Sequence, residues 1–472
     1  MLFSSPVFLF LFLPFTLFIY YLLPSRFKNL FLLLVSLFFY TWGEKELVAL
    51  IIISTLVDYS CGLIIKNGRR KTGLALSIIF NVGLLAYFKY SDFVFTNIVD
   101  LLGLFSVSVD NAYAFSNIAL PLGISFYTFQ TMSYTIDVYR GEVEANSNII
   151  DFATYVTLFP QLIAGPIVRY KSIKDQLSSR KVTTSLMSEG IERFVIGLTK
   201  KMLIANNCAL LADNIFNLHG DDLSAGLAWL GVIAYSFQIY FDFSGYSDMA
   251  IGLGKLFGFN FPENFNYPYT ARSIREFWKR WHMTLSSWFR DYLYIPLGGN
   301  QHGPTRTYIN LFIVFLITGL WHGANWTFII WGLFHGILIS VERLGWGRIL
   351  NKLPKFIAHL YLLFSICVSW VFFRSDSLPK AFQYIEAMFS FQNKTNVAFF
   401  NFYFSTELLV VLLLATVLSV PIYHKIKLLI KPLNTFHWFF GSCRAVGLLS
   451  LFVLCLFYIA TDSYNPFIYF RF

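Results

Sequence analysis

Phe277-Trp278-Lys279-Arg280-Trp281-His282 opens a stretch that continues through Trp288-Phe289-Arg290-Asp291-Tyr292. It closes with Trp321-His322-Gly323-Ala324-Asn325-Trp326 and Trp331-Gly332-Leu333-Phe334-His335-Gly336. His322 and His335 sit inside strongly apolar sequence. An imidazole at membrane depth is costly, and an intramembrane ionisable group is read as functional by default. That places the chain in a bilayer and marks where its chemistry sits.

The sequence around this stretch says the same. The chain is 56% hydrophobic and 13% charged, against about 25% charged in a soluble protein. Apolar candidate spans fall at 2–23, 28–42, 46–65, 73–90, 92–106, 118–139, 151–168, 192–212, 225–252, 308–320, 325–341, 356–373, 405–423 and 438–460. Several are shorter than the ~20 residues of a straight crossing. The expected fold is an all-α polytopic membrane protein of roughly 11 to 14 transmembrane helices around a central funnel or tunnel, with interfacial and re-entrant helices besides. It is expected to be one domain over 1–472, and the span 2–23 is read as a retained first helix rather than a signal peptide.

The net charge of +10 does not point to nucleic acid, because the basic residues cluster in short loops, where they act as topology signals. Arg26/Lys28, Lys66 to Lys71, Arg169 to Lys201, Lys255 to Arg306, Arg343 to Lys355 and Lys425 to Lys431 form the basic set. Glu44/Glu46, Glu142/Glu144 and Asp213/Asp221/Asp222 form the acidic set. Placing the basic set in the cytoplasm puts both termini outside.

Between Phe261 and Gln301, the cations Arg272, Arg275, Lys279, Arg280 and Arg290 alternate with Phe277, Trp278, Trp281, Trp288 and Phe289. This pattern predicts a helix lying in the interface, either a simple anchor or a basic, aromatic floor for an anionic cytoplasmic substrate. The five cysteines lack C-x-x-C or Cys/His spacing and read as small buried hydrophobes.

His322 follows an apolar segment and precedes Gly323 and Ala324, with Trp321, Trp326 and Trp331 as expected walls. Two roles fit it from composition: a neutral general base, or a polar group hydrogen-bonded between helices. His282 either orients a substrate or faces lipid headgroups. His335 lies 13 residues beyond His322, roughly 220° away on a continuous helix at about 100° per residue, and reads as structural. A metal site from His282, His322 and His335 lacks the spacing of helical sites, so no metal is expected. Asp242 and Asp248, in Phe241-Asp242-Phe243-Ser244-Gly245-Tyr246-Ser247-Asp248, suit pairing with a histidine or an interfacial arginine, or a structural ion pair. Pro160 and Pro166 predict a broken segment between Phe159 and Tyr170. Ser125, Thr128 and Gln130 predict interhelical hydrogen bonds. No nucleophile elbow, P-loop or dinucleotide fingerprint occurs. Nor does any repeat of the kind many transporters carry; the one echo is Gly319-Leu320-Trp321-His322-Gly323 against Gly332-Leu333-Phe334-His335-Gly336.

At these residues the chain resembles the membrane-bound O-acyltransferase family, in its bacterial alginate O-acetyltransferase-like branch. The resemblance is carried by Phe159-Pro160-Gln161-Leu162-Ile163-Ala164-Gly165-Pro166, by Phe241 to Asp248, by Phe277 to Trp288, and by Tyr294-Ile295-Pro296-Leu297-Gly298-Gly299-Asn300. Trp321 to Trp326 and the tail Asn465 to Phe472 complete it. The core with these motifs runs from about 118 to 343.

The resemblance implies that His322 is the catalytic histidine and His282 a second functional one. It implies transfer of an acyl group from a cytoplasmic thioester to an extracytoplasmic hydroxyl, in the bacterial cytoplasmic (inner) membrane. Acetyl-CoA is the expected co-substrate, with no tightly bound cofactor. A periplasmic or membrane-anchored acetyltransferase partner would deliver the group to a polysaccharide such as alginate. Arg272, Arg275, Lys279, Arg280 and Arg290 are the expected phosphate contacts, and His282 or Asn325 the oxyanion donor. Trp321 and Asp242 are counted with the binding site. Two alternatives stand beside this: D-alanyl or other acyl transfer from a carrier protein to a cell-wall polymer, and a transporter or flippase with proton-relay histidines.

Overall fold

The computed structural model of the protein describes residues 1–106, 119–218, 220–390, 405–422, 437–461 and 464–467. Among these residues every regular element is helical, as expected where each apolar segment must satisfy its own backbone in lipid. Six helical stretches among the described residues are long and apolar enough to cross a bilayer: Ser25–Lys66, Arg70–Leu104, Thr184–Phe216, Trp326–Lys352, Lys355–Arg374 and Gly441–Thr461. Large apolar side chains such as Phe10, Leu11, Phe15 and Phe18 point outward, a surface that lipid rather than water covers. The protein is therefore an all-α multi-pass membrane protein. The six stretches hold more than six helices, since Ser25–Lys66 breaks at Lys45 (φ 47°, ψ −116°). The basic residues at 425–431 and the tail at 468–472 lie outside the described residues.

By internal contact the chain divides into two compact units. The first comprises Met1–Met187, Leu253–Pro262 and Gly323–Asn325; the second comprises Ser188–Gly252, Glu263–His322 and Trp326–Phe472.

The first unit contains α1 (Leu13–Leu22), α2 (Lys28–Glu44), α3 (Val48–Lys66), α4 (Arg70–Leu85), α5 (Ser91–Leu104), α6 (Ile124–Arg140), α7 (Ile149–Thr157), α8 (Phe159–Leu162) and α9 (Tyr170–Ser178). Helix α6 is buried over almost its whole length and packs on α3 and α4. Ser125, expected to bond between helices, accepts from Lys89 Nζ at 3.3 Å, and further interhelical hydrogen bonds follow later on α6. Thr131 Oγ1 donates to Asn81 Oδ1 at 3.1 Å, and Thr135 meets Ser77 at 2.7 Å. Asn81 and Ser77 in turn donate to the Asp58 carboxylate. The segment with two prolines is broken, as expected: Leu158 leaves the helical region (φ −51°, ψ 109°), and 158–168 is buried throughout. The Phe159 N–H, left without a helical acceptor, donates to Ser36 Oγ at 3.1 Å.

The second unit contains α10 (Thr184–Thr199), α11 (Asn206–Phe216), α12 (Ala225–Leu256, its last turn grouped with the first unit), α13 (Ile274–Trp278), α14 (Met283–Phe289), α15 (Gly303–His322), α16 (Trp326–Val341), α17 (Gly347–Lys352), α18 (Lys355–Arg374) and α19 (Leu378–Phe389). Helices Thr406–Leu418 and His437–Thr461 follow. Carboxylates on α12 are paired. Asp242 meets Lys201 at 2.8 Å; Asp248 meets Lys200 at 2.6 Å and Arg193 at 2.7 Å.

The cationic and aromatic segment from 261 to 301 is not one interfacial helix. It folds into short pieces, α13 and α14 among them, separated by a turn in which His282 adopts a left-handed conformation (φ 42°, ψ 53°). Burial explains the difference. Phe277 and Trp281 stack at 5.5 Å, and Trp281 packs on Trp370 of α18 at 5.2 Å. The aromatic half therefore enters protein core instead of lipid. Glu342 caps α13 from a distance, accepting from the backbone N–H groups of Ile274 (2.6 Å) and Arg275 (3.1 Å).

Helices α15 and α16 approach each other closely. An added Cβ at Gly332 would strike the Phe315 carbonyl oxygen and stand 3.1 Å from Gly319 Cα. Small residues let membrane helices approach this closely. Gly332→Ala should destabilise the purified protein by about 1–3 kcal/mol through overpacking, read as a fall in its detergent melting temperature. Gly83→Ala is the control: its Cβ meets nothing within 4 Å, and helix propensity favours alanine. Equal melting temperatures for the two variants would refute the close approach.

Candidate active site

Three imidazoles and a set of indoles meet in the second unit. His322 is the last residue of α15 and is buried. Its Nδ1 lies 2.7 Å from the carbonyl oxygen of Thr318, one turn earlier. A carbonyl only accepts, so Nδ1 carries the proton and Nε2 the lone pair. Aromatic rings surround the imidazole: Trp331 at 4.8 Å, Trp321 at 4.9 Å and Phe373 at 5.4 Å between centroids.

His282 is set by a loop. Asn264 Oδ1 accepts from Thr284 through both its N–H (3.3 Å) and its hydroxyl (2.9 Å), and lies 3.1 Å from His282 Nδ1. An oxygen receiving those donors requires the proton on Nδ1 here too. Nε2 of His282 is buried with no hydrogen-bond partner among the described residues. The Phe243 ring meets this imidazole edge-on at 4.6 Å, and Trp321 lies 6.1 Å away, between the two histidines. Burial holds the His282 imidazole well below the ordinary histidine value, and repulsion from His322 adds to this. It is neutral, and its Nε2 accepts rather than donates.

His335 completes the nest from α16. The indole N–H of Trp278 donates to its Nδ1 at 3.3 Å, and Trp331, one turn back, lies 5.2 Å away. His322 ends α15 and His335 lies in the separate helix α16, so the rotation argument for one continuous helix does not apply, and the Trp331 ring lies close to both His322 and His335. Among the described residues no three of His, Cys, Asp and Glu converge as a metal site.

Not every expected site residue joins this cluster. Asp242 forms a buried ion pair with Lys201. Arg280 is held by Glu276 at 2.8 Å and Arg290 by Asp291 at 2.7 Å; Arg272, Arg275 and Lys279 have exposed side chains. Trp321 is a wall of the nest, whereas Trp326 is 49% exposed and is not. Asn325 lies in the turn Gly323–Asn325, which groups with the first unit. Sequence reasoning missed Thr318 and Asn264. The first had a signal, being four residues before His322 on a helix; the second, in a loop 18 positions from its partner, had none.

The description of the membrane-bound O-acyltransferase family matches residues 37–373. The chain belongs to that family. It is thereby an acyltransferase, and the transporter reading falls away. A relative from Azotobacter vinelandii, named a probable alginate O-acetylase, is 41% identical over the full length of both chains. A peptidoglycan O-acetyltransferase from Helicobacter pylori is 40% identical over 82% of this chain and 80% of its own. A teichoic acid D-alanyltransferase from Bacillus subtilis is 31% identical over 51% of this chain and 63% of its own. Acyl transfer to a polymer is the common element of these names.

Proposed function

We propose that this acyltransferase takes an acetyl group from acetyl-CoA on the cytoplasmic side of the bacterial inner membrane and passes it to an extracytoplasmic hydroxyl. The purpose is O-acetylation of a polysaccharide such as alginate, with a periplasmic or membrane-anchored acetyltransferase as the delivering partner. The observation that carries the reading is the Thr318 carbonyl on His322 Nδ1, which directs the lone pair of the walled-in imidazole to Nε2, the proton acceptor.

In the step proposed, His322 Nε2 takes the proton of the acceptor hydroxyl as its oxygen attacks the thioester carbonyl carbon. The tetrahedral intermediate collapses, the C–S bond breaks, and the imidazolium returns the proton to the leaving thiolate. The products are an acetyl ester and free thiol. His282, with its lone pair at Nε2, accepts a hydrogen bond and orients the incoming hydroxyl; it is not the oxyanion donor. Arg272, Arg275 and Lys279 are the better placed of the five cations for the phosphates of coenzyme A, because Arg280 and Arg290 already have carboxylate partners. The whole chain is taken to work as one membrane domain.

Membrane vesicles carrying the protein and its acceptor should consume acetyl-CoA and leave a D-alanyl carrier protein untouched. Consumption of the carrier thioester alone would move the chain to the D-alanyl reading that the Bacillus relative's name suggests.

A further inference from the structure

Two buried nitrogen donors beside His322 are left over by the chemistry above. The indole Nε1–H of Trp331 is buried and has no hydrogen-bond acceptor among the described residues. The same holds for Nε2 of His335, and its protonation follows from its neighbour. Trp278 donates to Nδ1, so Nδ1 holds the lone pair and a neutral His335 carries its proton on Nε2. Both residues are essentially inaccessible, at 1% and 0% exposure. An orphaned buried donor destabilises the fold, and two on one face call for an explanation.

Their placement supplies one. Trp331 and His335 are four residues apart on α16 and so share a helix face, with ring centroids 5.2 Å apart. The Trp331 ring is also 4.8 Å from that of His322. Trp278, Phe315, Trp370 and Phe373 wall this face with apolar rings, which keeps the local dielectric low and any hydrogen bond made there strong.

We propose that Trp331 Nε1–H and His335 Nε2–H are the catalytic donors that hold the oxyanion of the tetrahedral intermediate. This rests on the reading of His322 as the base. When the hydroxyl oxygen attacks, the thioester carbonyl π pair moves onto its oxygen. The negative charge that appears there receives the two N–H bonds, and it returns to carbon as the thiolate leaves. The ground-state carbonyl is a weaker acceptor, so the donors act mainly on the transition state. His335 is then more than a structural histidine, and Trp331 more than a wall.

The test uses the full-length protein in vesicles with acetyl-CoA and its acceptor. Trp331→Phe keeps a large ring and deletes the N–H; His335→Leu deletes the other donor; His335→Gln keeps an N–H near the same reach. Each deletion should lower kcat by about 10²–10³-fold, with KM for acetyl-CoA within about twofold, and His335→Gln should recover much of the loss. Replacing Trp331 with β-(3-benzothienyl)alanine, which swaps N–H for sulfur in a ring of the same shape, separates loss of the donor from loss of packing. That substitution should be as slow as Trp331→Phe at an unchanged melting temperature. Wild-type kcat in the benzothienyl protein and in His335→Leu would overturn the proposal, as would losses confined to KM or to melting temperature. If His322→Ala is inactive while these variants are not, the donor assignment alone falls. If His322→Ala is active, the base assignment falls first.

Discussion

His322→Ala is expected to lower acetyl transfer by about 10²–10⁴-fold, the usual worth of a positioned acid–base group, while the protein still inserts and melts cooperatively. The reasons for retained folding are specific. The imidazole bonds through Nδ1 to the carbonyl of Thr318 at a helix end, where an unpaired carbonyl costs about 1–3 kcal/mol. The Trp331, Trp370 and Phe373 rings that surround the site also pack on one another at 5.0 to 6.2 Å, so the nest does not depend on His322. The loss should appear in kcat, with KM for acetyl-CoA little changed, because the base acts on the acceptor proton and not on donor binding. His322→Gln should fare no better: its amide can hydrogen-bond but does not take a proton at neutral pH. Wild-type turnover in either variant, assayed with purified protein and its acceptor, would remove His322 from the mechanism.

The apolar runs, their breaks and the histidine positions follow from composition, because lipid penalises polar groups one at a time. That is why His322 and the broken 159–170 segment were readable. The segment from 261 to 301 was misread because cations and aromatics in alternation describe an interfacial helix and a folded-in loop equally well. The choice is made by Trp370 on α18 and Glu342 beyond α16, respectively 89 and 61 positions after Trp281. Local pattern carries no information about such partners. The tautomers of His282 and His335 were out of reach for the same reason, since Asn264 and Trp278 set them across 18 and 57 positions. Proton position decides whether an imidazole is a base or a donor. The roles proposed for the three histidines therefore rest on geometry and not on sequence pattern.

Breaking the Lys201–Asp242 pair should be the most damaging change to stability. The two side chains are 5% and 2% exposed and 2.8 Å apart. Lys201 also donates to the carbonyl of Pro466, tying the segment 464–467 to the core. Lys201→Met removes the cation beside a buried carboxylate, and Asp242→Leu leaves a buried ammonium; either should cost about 3–5 kcal/mol. Lys201→Met with Asp242→Leu removes both charges and should regain most of that loss, giving a strongly non-additive cycle. Lys200→Met is the contrast. Its partner Asp248 keeps Arg193, and Lys200 is 24% exposed, so the cost should be no more than about 1 kcal/mol. Denaturation of the purified protein reads all four, and a single substitution at Lys201 no worse than Lys200→Met would mean that water reaches the pair. The repaired double variant then carries a second question. Asp242 is next in sequence to Phe243, whose ring holds the His282 imidazole edge-on. If the double variant is stable and transfers at the wild-type rate, the pair serves the fold alone; if it is stable and slow, the pair also positions His282 through Phe243.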